Sequence, residues 1–102
     1  MVEILDKENF DKFIAEGTTI VDFWASWCGP CQMMGPVFEA VSKEVKGAKF
    51  GKLSTEEAPD IAGEHQISSI PCLIIFKDGK ESSRIIGYRG KDELKEEIEQ
   101  KI

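Results

Sequence analysis

Apolar positions along this chain alternate between two rhythms, and the switches between them mark out its elements. Val2–Leu5 is a short candidate strand. Asp6 can cap a helix in which Phe10, Phe13 and Ile14 share one face, with Gly17 as its stop. Thr18–Trp24 follows as a run of β-branched and aromatic residues, the pattern of a buried strand, with one oddity, Asp22, in its middle. After a break at Cys28-Gly29-Pro30 the period lengthens: Met34, Val37, Phe38, Val41 and Val45 recur at spacings of three and four. Pro36 lies inside that helical pattern and is expected to kink it, and Gly47 is expected to end it.

The second half is read in the same way. Lys49–Ser54 is a weaker strand, and Ala58–His65 a short helix with Pro59 in its first turn. Pro71–Lys77 is a strongly apolar strand, Asp78-Gly79 a hairpin turn, and Lys80–Gly87 the return strand. Lys91–Ile102 is a closing helix with Leu94, Ile98 and Ile102 on one side. The order β-α-β-α-β-α-β-β-α predicts parallel pairing early, an antiparallel hairpin late, and a mixed sheet with helices on both faces.

Composition narrows the function more than the fold. A chain of 102 residues is the size of one domain, so residues 1–102 are expected to form a single unit. It should leave roughly 5,800 Å² exposed when folded. With 41% apolar and 31% charged residues it reads as globular. A net charge of −6 is the wrong sign for binding a phosphate backbone, so no nucleic-acid partner is expected. No run of about 18 apolar residues is present, so no membrane span is expected. Met1–Phe10 carries no basic-then-apolar leader, and the reading is cytoplasmic. The 3 cysteines are an odd number, which argues against a disulfide framework. In a reducing compartment cysteines are more often catalytic or metal-binding than structural.

Two of those cysteines lie in Trp27-Cys28-Gly29-Pro30-Cys31, between a strand and a helix. The spacing suits a small disulfide ring or half of a tetrahedral metal site, for which only Cys72 and His65 remain as further ligands. In the redox reading Cys28, first in order at a helix N-terminus, is the attacking thiolate, favoured by free N–H groups and the helix dipole. Cys31, one turn in, is the resolving thiol. A thiol lowered from about 8.5 to about 7 gains roughly 16-fold in thiolate at pH 7 but loses roughly 5-fold in nucleophilicity, a net gain near 3-fold. The larger effect is on Cys28 as a leaving group.

The segment Val21-Asp22-Phe23-Trp24-Ala25-Ser26-Trp27-Cys28-Gly29-Pro30-Cys31 resembles the active-site segment of the thioredoxin family. The similarity continues at Pro36, Ile70-Pro71, Phe76-Lys77-Asp78-Gly79 and Gly87, with the same element order over essentially the whole chain. The resemblance implies the thioredoxin fold: α/β, a mixed five-stranded sheet flanked by four helices. It implies a thiol-disulfide oxidoreductase that reduces protein disulfides through Cys28 and Cys31, a monomeric electron carrier needing no metal or organic cofactor. A dedicated reductase would recharge it, an NADPH-dependent flavoprotein by default or a ferredoxin-linked enzyme. Asp22, otherwise a hydrogen-bonded strand residue, would be a buried acid handling the Cys31 proton. Lys52 would lie near it or be an ordinary solvated lysine. Pro71, otherwise an edge proline, would be a cis-proline facing the cysteines, with Ile70 pairing an extended substrate. Trp27, Gly29, Pro30, Ile70 and Gly87 would form the docking surface, and Trp24 would pack.

Several residues depart from the family pattern. Gln32 stands where a lysine or arginine is common, and one positive charge near Cys28 is lost. Ser54-Thr55-Glu56-Glu57 replaces a segment richer in Asp and Val, and Tyr88 follows Gly87 where a smaller residue is usual. Cys72 replaces the usual Thr after the proline. It is either a buried thiol packing as a small hydrophobe or a third redox thiol that modulates the pair. His65 reads as a surface or helix-end residue, and the acidic stretch Glu93–Glu99 as a solvated helix face. Outside the reductase class, a metal or iron–sulfur carrier using Cys28, Cys31 and Cys72, and a binding subunit indifferent to redox state, are the competing readings.

Overall fold

The seven residues Thr18–Trp24 form the strand on which the rest of the chain is organised, because they are buried on both sides. A computed structural model describes residues 1–102. In chain order its elements are β1 (Val2–Leu5), α1 (Phe10–Ile14), β2 (Thr18–Trp24), α2 (Gly29–Glu44), β3 (Lys49–Ser54), α3 (Pro59–Glu64), β4 (Cys72–Lys77), β5 (Lys80–Ile86) and α4 (Lys91–Lys101). The sheet order is β1-β3-β2-β4-β5. β3 runs parallel to β1 and β2, while β4 is antiparallel to β2 and to β5. The mixed five-stranded sheet with four helices is therefore as expected, and the folded chain exposes 5673 Å².

Strand alternation divides the core into two layers. Val21 and Phe23 of β2, with Cys72, Ile74 and Phe76 of β4, pack against Phe10, Phe13 and Ile14 of α1 and Ala58 before α3. Ile20, Leu73 and Ile75 pack on the other face against Met34, Phe38 and Val41 of α2 and Leu94 and Ile98 of α4. In β3, Gly51 must stay small: a Cβ there would lie 2.8 Å from Leu5 Cδ1 and 3.1 Å from the Phe13 ring. Glu44 on α2 binds Lys91 and Lys95 of α4 and ties the two helices of that layer together.

The hairpin turn follows its sequence signal. Asp78 and Gly79 both have positive φ, 51° and 86°, as a two-residue turn of the strand-matching hand requires. Asp78 also binds the turn before β2, its carboxylate accepting from the Gly17 N–H at 2.8 Å and its own N–H donating to the Gly17 carbonyl at 2.9 Å.

Differences from the sequence reading sit at element ends. β4 begins at Cys72 rather than Pro71, since a proline has no N–H for the ladder. β5 ends at Ile86, where Gly87 turns away with φ +97°. α1 starts at Phe10, because Asp6 uses its carboxylate on the N–H groups of Glu8 and Asn9 and makes a turn before the helix. α2 passes through Pro36 and ends at Glu44. His65 closes α3 as a helix-end residue, as expected; it is half-buried, and its ring packs edge-on 5.6 Å from Phe10 and 5.4 Å from Phe76. Gln66, with φ 54°, supplies the left-handed turn that folds the chain back there.

Candidate active site

β2 delivers the chain to Trp24 at the edge of the core, and α2 starts five residues later. Between them, Cys28 is the N-cap of α2, with extended backbone (φ −96°, ψ 111°) and Pro30 in the first turn. Cys28 and Cys31 are joined as a disulfide with their Cα atoms 5.2 Å apart. The Cys28 sulfur accepts the Cys31 N–H at 3.1 Å, so the capping atom and the expected nucleophile are the same. Both cysteines are nearly enclosed, 5% and 3% exposed, in a small cluster with Ala25, Trp24 and Ile70.

Residues distant in sequence complete the rim. The Ile70–Pro71 peptide is cis, and the Ile70 carbonyl oxygen lies 3.8 Å from Cys28 Sγ. The Pro71 carbonyl accepts the Gly87 N–H at 2.9 Å, which brings the loop after β5 to the same place. No backbone group of the chain bonds the Ile70 N–H or carbonyl. Trp27 is 72% exposed beside the pair, with Gly29 and Pro30 also at the surface. Trp24 is half-buried and packs, as expected.

Asp22 lies on the α2 side of β2 and is 2% exposed, with Oδ1 unpartnered. Burial pushes its carboxyl from 3.8 up to about 7, against the opposing charge of Lys52. Lys52 is its register neighbour on β3, and both line a cavity of about 60 Å³ with Gly35, Phe38 and Glu39. The cavity is large enough for a water.

Cys72 is brought close in sequence but not into this cluster. Its side chain belongs to the opposite layer, with Phe23 and Phe76, and it is a free thiol, 1% exposed. Burial pushes that thiol up, more than the nearby Arg84 guanidinium lowers it. No three His, Cys, Asp or Glu side chains converge as metal ligands, and Cys72 lies in the layer opposite Asp22, apart from the Cys28–Cys31 cluster. His65 stands among Phe rings and takes no place at the disulfide.

Three further sets of contacts act on this region, and none of them can be read from the sequence. Ser26 and Glu56 are hydrogen-bonded to each other. Arg89 donates to the Ile86 carbonyl at 3.0 Å and to Glu97 on α4 at 3.0 Å, pinning the loop that carries Gly87 and Tyr88. Gln32, met in the sequence as a lost charge, donates to the Ser26 carbonyl.

A mixed sheet whose second strand leads into a helix-capping Cys-Gly-Pro-Cys disulfide, with the Ile70 carbonyl beside its first sulfur, defines a thiol-disulfide oxidoreductase. Comparison with known proteins agrees. The thioredoxin family model matches residues 1–100. The thioredoxin of Chlamydia caviae is 47% identical over 94 residues, 92% of this chain and 92% of its own. That of Staphylococcus saprophyticus is 42% identical over 103 residues, covering 100% of this chain and 98% of its own. The chain belongs to the thioredoxin family, whose members are disulfide reductases.

Proposed function

We propose that this chain is a single-domain, monomeric reductant of protein disulfides in the cytoplasm, with Cys28 as nucleophile and Cys31 as resolving thiol. The observation that carries the assignment of roles is the position of Cys28 Sγ. It caps α2, where the thiolate gains the Cys31 N–H and the dipole, and it faces the unpaired Ile70 backbone.

In the reduced protein the Cys28 thiolate attacks one sulfur of a substrate disulfide. A Cys28–substrate bond forms and the first substrate thiolate leaves. Cys31, deprotonated, then attacks Cys28 Sγ, expels the second substrate thiolate and closes the Cys28–Cys31 bond. Two electrons pass to the substrate, and its two thiolates take protons from solvent. Asp22, poised near neutrality, accepts the Cys31 proton directly or through a water in the adjoining cavity, and Lys52 favours its ionised form. Ile70 pairs with an extended substrate segment, while Trp27, Gly29, Pro30, Pro71 and Gly87 shape the surface around it. The exchange closes on two sulfurs and uses no metal or organic cofactor.

An NADPH-dependent flavoprotein reductase is the electron donor this reading favours, with a ferredoxin-linked enzyme as the other source. The packing role of Cys72, in the layer opposite Asp22, is the reading the geometry supports over a redox modulator.

The test is a Cys31→Ser variant offered to a cell extract. It should retain substrates as mixed disulfides on Cys28, released by dithiothreitol and identified by mass spectrometry. Absence of any adduct on Cys28 would end the assignment.

A further inference from the structure

Ser26 is exposed, yet every polar group it has is engaged. Its backbone N–H and its hydroxyl both donate to Glu56 Oε1, each at 2.8 Å. Its carbonyl accepts from Gln32 Nε2 at 2.6 Å. Glu56 comes from the loop after β3 and Gln32 from the first turn of α2, so the strand-to-helix loop is gripped from two sides. The grip falls on the residue next to Trp27 and two before Cys28. The β3 loop also reaches the strand end, where Thr55 donates its N–H and hydroxyl to the Trp24 carbonyl at 2.8 and 3.2 Å. Both Ser26 bonds hold the Glu56 carboxyl below the usual range, so its acceptor stays ionised at neutral pH.

We propose that Glu56 and Gln32 are positioning residues for disulfide exchange, fixing Ser26 so that Trp27 and Cys28 meet an extended protein segment in one geometry. They thereby set the preference for protein disulfides over small ones. A small disulfide needs only the Cys28 sulfur. A protein segment must meet that sulfur, the Trp27 face and the Ile70 backbone together, and a loose loop loses that alignment. The inference rests on the reductase reading.

The experiment compares pre-reduced wild type, Glu56→Ala, Glu56→Gln and Gln32→Ala in single-turnover reactions with insulin and with hydroxyethyl disulfide. All three substitutions are at exposed side chains, and thermal unfolding confirms that each variant is folded. Glu56→Ala and Gln32→Ala should slow reaction with insulin about fivefold, while the small disulfide stays within about twofold. Glu56→Gln keeps an acceptor oxygen and should stay within about twofold of wild type on both. The clamp is overturned if both alanine variants reduce insulin at the wild-type rate, or if they slow both disulfides equally. It is also overturned if Glu56→Gln falls as far as Glu56→Ala, which would make charge the cause. A wild type that reduces neither disulfide would bring down the reductase reading, and the clamp with it.

Discussion

Each face of the sheet hides one titratable group in an apolar layer, and the two groups fare differently for a simple reason. Asp22 faces α2, and Cys72, on the strand beside it, faces α1 and α3. Burial disfavours the charged form of both. The carboxyl starts at 3.8 and arrives at about 7, where it can both take and give a proton. The thiol starts at 9.0 and moves further up, out of reach of neutral pH. The same desolvation thus makes one group a working acid–base and the other an inert filler. A cation stands near each and opposes the shift without overcoming burial. Asp22 borders a water-sized cavity and a lysine, whereas Cys72 lies near Arg84, which Glu81 and the His65 carbonyl hold in place.

The sharpest way to break this comparison is the pH dependence of stability. Because the folded pKa of Asp22 lies above the unfolded one, the folded state holds the proton more tightly. The Asp22 contribution to stability should therefore be fully present below about pH 4, fall by about 4 kcal/mol as pH rises through about 7, and change no further above that. Asp22→Asn removes this contribution: urea unfolding should find it more stable than wild type at pH 8 and similar at pH 4. An equal slope in both proteins would remove Asp22 from the role of buried acid. A smaller effect is expected on the other face. Cys72→Ala should cost about 1–2 kcal/mol for the lost packing. Its disulfide-exchange rate should match wild type, and a loss there would restore the third thiol to the chemistry. Smallest is Glu81→Gln, which frees Arg84 at a cost below about 1 kcal/mol. Its readout is alkylation of Cys72 by iodoacetamide, which should quicken a few-fold. If Cys72 in the folded wild type reacts as fast as an exposed thiol, the contrast between the faces collapses.

The order of elements and the cysteine pair were legible in the sequence because they rest on local signals. The period change after Trp24, the Asp78-Gly79 turn and the run Trp27-Cys28-Gly29-Pro30-Cys31 each announce themselves within a few residues. Asp22 was visible as a charge in an apolar strand, although the face it points to depends on strand register. What stayed hidden depends on contacts across long separations. Nothing near Glu56 says that it holds Ser26, 30 residues earlier, and nothing near Arg89 announces Glu97 on the next helix. His65 is legible as a helix end, but not its aromatic contacts: the half-buried ring meets Phe10, Phe23 and Phe76 from three other elements. Gln32 shows the same limit: sequence reports the charge it lacks, and only the fold reports the carbonyl it binds.

The sulfur that caps α2 has one more consequence. A serine hydroxyl is a favoured helix cap, so Cys28→Ser offers the Cys31 N–H an oxygen in place of sulfur. Compared with the reduced protein, that variant should keep α2 intact, and even firm its first turn, while losing all exchange chemistry. At this position the atom that folding would choose and the atom that reactivity requires are different elements.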